Sequence, residues 1–191
     1  MPWRTLPADL DEDTYLLAEP MPAAINVAVA KARAIASAAT TDEIVVAADT
    51  LVVVDDDILA KPLGADEARG MLERLRRRAH QVMTGVVLRS AQMSWAGVVE
   101  SQVIMRDYST AEVDAYVARG EPFDKAGGYA VQDQTFHPVE RVDGCYLNVV
   151  GLPVCALAAG LNALGVQGVA GAEPPRCGYC RRGEPLVRSG S

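Results

Sequence analysis

Aromatic side chains are scarce in this chain. Its 191 residues include two Phe, two Trp and six Tyr, 5% in all, while half of the residues are hydrophobic. A core built from this composition must be packed by Val, Ala and Leu. The length suits one domain, or one domain and a tail, with a sizeable buried core. Basic charge is also in short supply. Lys and Arg number 18 against 25 Asp and Glu, a formal net charge of −7, which argues against non-specific duplex nucleic-acid binding because that needs a basic footprint. A single nucleotide is not excluded, since a few lysines and a metal can meet its phosphates locally. Long apolar runs are missing too. The Ala-rich stretch 22–39 is broken by Lys31 and Arg33, and no run of about 18 apolar residues is there to span a bilayer. The acidic opening MPWRTLPADLDED has no apolar segment of the kind a secretory signal needs, so the expected location is the cytoplasm. Four cysteines do not make a disulfide framework in a chain this size. Cys145 and Cys155 fall in apolar surroundings and read as inert core thiols. There is no G-x-G-x-x-G, no G-K-[ST] phosphate loop and no internal repeat.

What the chain does contain is an acid inside an apolar run. Residues 45–62 read VVAADTLVVVDDDILAKP, and Asp49 interrupts what would otherwise be one β stretch. Burying an ionised carboxylate costs on the order of several kcal/mol unless something pairs with it. Asp49 is therefore either a paired structural group or a site residue. Lys61 lies just past a D-D-D turn, so a hairpin of 51–54 with 58–60 would carry it back toward the Asp49 end. Further on, EPFDKAGGYAVQ places Asp124 and Lys125 beside a double glycine. Acid, lysine and flexible backbone converging on one end of a sheet suit a phosphate ester and its metal.

Pro22 is expected to open a helix, with Ile25, Ala28, Val29, Ala32 and Ile35 forming its apolar face. Lys31 lies beside that stripe, where its stem could snorkel into a cleft or simply stay solvated. A strand over 44–48 and the hairpin follow. Asp66 is a plausible N-cap for a helix to about Arg77, whose arginines suit the dipole at its end. Residues 81–88 and 98–105 read as strands joined around 94–97. Ser109 and Glu112 form a capping-box pattern, with Gly120 closing that helix. A short strand is expected over 129–131, a turn at Asp143-Gly144 before 146–150, and a last helix over 153–164 stopped by Gly165. Helices and strands alternate, but the hairpins require antiparallel pairs. The expected fold class is α/β, with a mixed sheet flanked by helices. Residues 1–165 form the expected domain, and 166–191, rich in Gly, Pro and Arg, a flexible tail.

Five motifs occur in order: A-D-T at Ala48, Asp49 and Thr50; K-P at Lys61 and Pro62; H-x-V-x-T-G from His80 to Gly85; E-P-x-D-K-A-G-x-Y from Glu121 to Tyr129; and N-V-V-G-L-P from Asn148 to Pro153. With these motifs the chain resembles the Maf family of nucleoside triphosphate pyrophosphatases over about residues 6–164. The resemblance implies a fold similar to that of inosine triphosphate pyrophosphatases. It also implies hydrolysis of a nucleoside triphosphate to the monophosphate and pyrophosphate. Asp49 matches the acid proposed to activate the attacking water, Glu12 the family's second acid, and Lys31 and Lys61 its lysines. Thr50 and Gln132 match positions tied to base choice. Glutamine at that second position marks the relatives similar to the dTTP/UTP subgroup. Asp124 and Lys125 are expected substrate contacts, and a homodimer is implied.

The chemistry suits these residue types independently. Attack at the α-phosphorus needs a positioned water, a base, and positive charge over the triphosphate. Mg²⁺ or Mn²⁺ takes one or two carboxylates with phosphates and water, which Glu12 and Asp49 could supply. Gln132 carries both donor and acceptor and can read a pyrimidine edge. The family also opens with a strand and an S-x-S-P-R-R phosphate loop, so this chain is expected to lack that first βα unit. Cys145 stands where the family usually has serine. Bland readings serve the remaining candidates. His80 flanks a strand and His137 sits in a turn, neither expected to be catalytic, and Thr84-Gly85 reads as a strand bend. Cys177 and Cys180 have metal-ligand spacing without a second ligand pair. A competing reading is a non-catalytic nucleotide-binding or cell-division regulatory protein that lost its phosphate loop.

Overall fold

The computed structural model describes residues 2–15 and 19–166. The 167–191 stretch, including Cys177 and Cys180, lies outside the described residues. Helix α1 (Pro20–Ala34) precedes strand β1 (Val45–Val54), which turns into β2 (Asp57–Leu59). Helix α2 (Ala65–Leu75) leads to the long pair β3 (Ala79–Arg89) and β4 (Ser94–Met105). Then come α3 (Thr110–Ala118), β5 (Val139–Asp143), α4 (Tyr146–Val150) and α5 (Val154–Ala163). The five strands form one sheet in the order β2-β1-β3-β4-β5. The helix-flanked α/β architecture is as expected. Its ladders, expected to be mixed, are all antiparallel among the described residues. Tight hairpins explain two of the pairings. Asp55 and Asp56, at φ 52° and 66°, make the two-residue turn between β1 and β2. Both positive φ values are what a turn matched to strand twist demands. Ser90 organises the turn between β3 and β4, its backbone N–H donating to Met93 O at 2.9 Å and its hydroxyl accepting from Met93 N–H at 3.0 Å. That turn precedes the segment 94–97 where the sequence pattern placed it.

β1 runs through Asp49 without a break. Its odd-numbered residues face α1, where Leu51 and Val53 pack with Ala23 and Ala24, and Val45 and Ala47 with Ala28 and Ala32. The opposite face carries Val52, Val54, Val82, Val103 and Met105 against Leu72, Leu75 and Tyr116 of α2 and α3. Val86, Leu88 and Val99 pack there against α5 through Ala156. Each buried valine contributes on the order of 1.5–3 kcal/mol, so the sheet rests on its aliphatic residues. α1 sits unusually close to the sheet because Gly85 has no side chain; a Cβ there would collide with the backbone carbonyl of Ala24. That contact is the physical reason for the T-G pair in β3.

Several local expectations shift. α1 starts at Pro20, two residues before Pro22, with Pro at its first turn. Its buried side chains are Ala23, Ala24, Val27, Ala28, Ala30 and Ala32, while Ile25, Val29 and Ile35 are only partly covered. Close approach to the sheet selects the small residues. α2 is preceded by Gly64, and Asp66 lies inside the first turn, pairing with Arg69. Gly64 makes no side-chain cap bond; Glu67 instead reaches back before the helix and accepts from Leu63 N–H at 2.8 Å. The capping box of Ser109 and Glu112 is present as expected, with Gly120 beyond the helix end. No strand forms over 129–131. The Tyr116 hydroxyl takes the Ala130 N–H at 3.1 Å, holding that segment as a loop. β5 lacks a clean alternating pattern because it is an edge strand paired only with β4, and with a register shift at Ile104/Met105. Cys145 is buried and Cys155 partly buried in the cluster under α5. Among the described residues, no helix is long and apolar enough to cross a membrane.

Candidate active site

β2 pairs only with residues 52–54 of β1, and among the described residues Asp49–Leu51 have no ladder partner on that side of the strand. A cleft of about 700 Å³ wraps around this edge from one face of the sheet to the other. Asp49 points to the α1 side, where Lys31 Nζ lies 2.6 Å from its Oδ1 and 2.9 Å from Glu12 Oε1. Glu12 comes from a single 3₁₀ turn, Glu12–Tyr15, laid against α1. Lys61 follows β2 and reaches to 3.9 Å from Glu12 Oε2, as the hairpin register requires.

Burial differs across this cluster and sets its proton chemistry. Asp49 is 7% exposed, Lys31 19% and Lys61 55%. Burial pushes the Asp49 carboxyl above the ordinary aspartate range, and the Lys31 ammonium only partly offsets this. Burial also works to lower the pKa of Lys31, but its hydrogen bonds to Asp49 and Glu12 more than reverse that, and the ammonium is held protonated. Asp49 is thus more basic than a surface aspartate, although a lysine touches it. Its Oδ1 is held by Lys31, which leaves Oδ2 to face other groups.

The wall on the opposite side of β1 is mostly uncharged, with Glu67 of α2 and Asp124 and Lys125 of the loop after α3 as its charged residues. Thr50, Val149, Val150 and Gly151 form one part of it, and Tyr129, Val131 and Gln132 from the loop after α3 form another. That loop reaches the cleft through Gly127, at φ 69°, whose missing Cβ would otherwise sit 2.9 Å from Val52 Cγ1. The Tyr129 hydroxyl meets His80 Nε2 at 2.7 Å inside the core. Burial holds His80 neutral, with its pKa pushed down to about 4, so it serves as a packed support and not as an acid or base. His137 is exposed at φ 46° and is not part of the cleft lining. At the rim, Lys125 Nζ lies 2.6 Å from Asp124 Oδ1 and 2.7 Å from the Glu121 carbonyl.

Glu12, Lys31, Asp49, Thr50, Lys61, Asp124, Lys125 and Gln132 all line this one cleft, so the structure brings together every site residue expected from the sequence. Tyr129 and Thr84 were not among them. Thr84, read as part of a strand bend, is fully buried behind Thr50 with its Oγ1 2.9 Å away. Its partner lies 34 residues off in sequence, which no local pattern signals. Among the described residues no group of three His, Cys, Asp or Glu side chains forms a ready metal cage. Two hard carboxylates do converge on one cation, the Lys31 ammonium. That donor set suits Mg²⁺, which takes one or two carboxylates and completes its shell with phosphates and water.

Similarity to known proteins agrees with this geometry. A family model described as Maf-like protein matches residues 1–164. A dTTP/UTP pyrophosphatase of Thermomicrobium roseum is 51% identical over 110 residues, 58% of this chain and 50% of that protein. Another of Dehalococcoides mccartyi is 44% identical over 128 residues, covering 66% of this chain and 57% of the relative. A third, from Citrifermentans bemidjiense, is 36% identical over 168 residues, 87% of this chain and 86% of the relative. The match thus spans about half the length of the first of these relatives. The chain, with its aspartate, lysines and glycine loop gathered at one sheet edge, belongs to the Maf family.

Proposed function

We propose that this protein hydrolyses a nucleoside triphosphate, dTTP or UTP in preference, to the monophosphate and pyrophosphate. The observation that carries the reading is the Lys31 ammonium bound to both Asp49 and Glu12 in a cleft whose other side is lined mainly by Thr50, Tyr129, Gln132 and aliphatic residues. One wall suits phosphates and their displacement, and the other suits a flat base. Relatives named dTTP/UTP pyrophosphatase support the same substrate class.

In this mechanism Asp49 Oδ2 takes a proton from a water, and the water oxygen bonds to the α-phosphorus. The bond from that phosphorus to the oxygen bridging the α and β phosphates breaks, and its electron pair leaves with pyrophosphate. The proton on Asp49 then passes to solvent. Burial makes Asp49 a stronger base than a surface aspartate while leaving it ionised beside Lys31, the compromise that general-base catalysis favours. Lys31 fixes the carboxylate through Oδ1 and, with Lys61, presents positive charge where the transition state gathers negative charge. Lys125, anchored by Asp124 and the Glu121 carbonyl, adds a third cation at the rim. Glu12 and Asp49 would hold a divalent cation, which when bound would polarise phosphate oxygens.

The test is release of pyrophosphate from dTTP, UTP, ATP and GTP by the purified protein with Mg²⁺ or Mn²⁺. Pyrophosphate from dTTP and UTP well ahead of the purine nucleotides is the expected result. Nucleotide binding without any pyrophosphate would overturn the reading in favour of a non-catalytic binder.

A further inference from the structure

The double glycine of the loop after α3 has a buried anchor that the chemistry at Asp49 does not use. Gly127 and Gly128 stand at φ 69° and 70°, and glycine backbone moves readily between such wells, so these two residues do not fix their own conformation. The next residue does. Tyr129 packs its ring into the cluster of Val52, Val54, Leu72 and Val82, and its hydroxyl meets His80 Nε2 of β3 at 2.7 Å. Both residues are buried. The other ring nitrogen, Nδ1, is buried with no hydrogen-bond partner among the described residues. Burial keeps the imidazole neutral, so it has one proton to place. Orphaned buried N–H groups are rarer than orphaned acceptors, which assigns the proton to Nε2. His80 donates and the Tyr129 oxygen accepts.

What this anchor holds is a pair of cations. Gly127 N–H donates to Ala60 O at 3.1 Å, tying the loop to the residue just before Lys61. Two residues back along the loop, Lys125 Nζ is bonded to Asp124 and to the Glu121 carbonyl. The Asp124 carboxyl is held below the ordinary range chiefly by its bond to Lys125, and Lys61 adds to the effect, so one acid feels both ammonium groups. Lys61 and Lys125 thus line the cleft from the two segments that the Gly127–Ala60 bond joins. Releasing Tyr129 would free the glycines, and with them the position of Lys125 relative to Lys61.

We propose that the Tyr129–His80 bond is a latch: both are positioning residues that hold the double-glycine loop in place and so fix Lys125 against Lys61 for binding the triphosphate. The inference rests on the nucleotide pyrophosphatase reading above. Two ammonium groups held at a set spacing meet a polyphosphate without first having to be ordered, and placement errors of about 1 Å in such groups are costly.

The test measures KM and kcat for dTTP in the wild type, Tyr129→Phe, His80→Gln and the double variant Tyr129→Phe/His80→Leu. Phenylalanine keeps the ring and removes the acceptor. The double variant removes both polar groups, leaves no ring N–H without a partner, and carries the test if the single variant melts too low to assay. In both, KM is expected to rise about tenfold while kcat changes less than about twofold, because the Lys31–Asp49 pair is untouched. His80→Gln, whose amide can donate from the same place, is expected to keep KM near the wild-type value. Each change is repeated in Lys125→Ala. If the latch acts through Lys125, Tyr129→Phe adds little to KM there, whereas a merely structural role would add the same factor in both backgrounds. A wild-type KM in folded Tyr129→Phe, or full additivity with Lys125→Ala, overturns the latch while the pyrophosphatase reading stands. A wild type that releases no pyrophosphate overturns that reading; the variants are then compared by their dissociation constants for dTTP, where absent or unchanged binding overturns the latch as well.

Discussion

The two walls of the cleft are built on adjacent residues of one strand, yet they follow opposite physical rules. Asp49 points toward α1 and lives among charges, with Lys31 at 2.6 Å and Glu12 bound to the same ammonium. Thr50 points the other way and lives among hydroxyls, carbonyls and aliphatic groups. The period of two along a β-strand separates them, and both line the same cleft. Charge can be strong on one wall without blurring recognition on the other, because the sheet stands between them. The comparison makes a clear demand: damage to the Asp49 wall should alter turnover, and damage to the Thr50 wall should alter choice of base.

The largest effect is expected for Asp49→Asn. Turnover should fall at least about a hundredfold, the usual span for losing a positioned base, while the dissociation constant for dTTP stays within a few-fold. Stopped-flow pyrophosphate release and calorimetric titration measure the two. Near-normal turnover would move the base elsewhere and break the division between the walls.

Next in size is Lys31→Met. The base works only when deprotonated, so activity is lost as pH falls through the Asp49 pKa. Lys31 lowers that pKa against the effect of burial. Removing it should shift the acid limb of the kcat profile to higher pH and reduce kcat at neutral pH about tenfold or more. An acid limb that stays in place would mean that Asp49 does not set it.

A smaller and qualitatively different effect is expected on the Thr50 wall. Gln132→Glu exchanges an amide donor for a charge, and the preference for UTP over GTP should narrow about tenfold. The acid limb of the pH profile should stay where it is. A shifted limb would show that the walls are electrostatically coupled.

Smallest at neutral pH is His80, which supports Tyr129 from inside the core. Its folded pKa of about 4 lies below the ordinary 6.5, so between these values the unfolded chain binds a proton that the folded chain does not. Stability is therefore unaffected above about pH 6.5 and is lost as pH falls toward 4, by on the order of 3 kcal/mol at the lower end. Denaturant unfolding of wild type and His80→Gln at pH 7 and pH 4.5 measures it. The variant should lose less stability between the two.

The charged wall was legible in the sequence and the Thr50 wall only in part. Asp49 stands out because a carboxylate inside a valine run is anomalous, and the D-D-D turn indicates that Lys61 folds back. Lys31 sat next to an apolar stripe with nothing local to say whether it was solvated; its partner on β1 decides. Thr50 and Gln132 came through the family resemblance. Thr84 carries no anomaly at all, since a threonine in a strand is ordinary, and its bonds to Thr50 and Asn148 appear only when the sheet and α4 are assembled. The same limit applies to the fold. The aspartate turn signal located the β1–β2 hairpin, whereas the β3–β4 turn, expected around 94–97, forms ahead of that segment at Ser90–Met93. β5 escaped because an edge strand packed on one side carries a weak apolar alternation. Small residues on α1 hid its buried face, because alanine registers weakly in a hydrophobic pattern even where Gly85 lets the helix press closest to the sheet.

The central claim is that the α-phosphorus is attacked by a water activated at Asp49. Single-turnover hydrolysis of dTTP in heavy-oxygen water, with mass analysis of both products, tests it most directly. The label is expected in the thymidine monophosphate, with none in the pyrophosphate. Label in the pyrophosphate, or release of orthophosphate, would place the attack at another phosphorus and contradict the assignment of the charged wall.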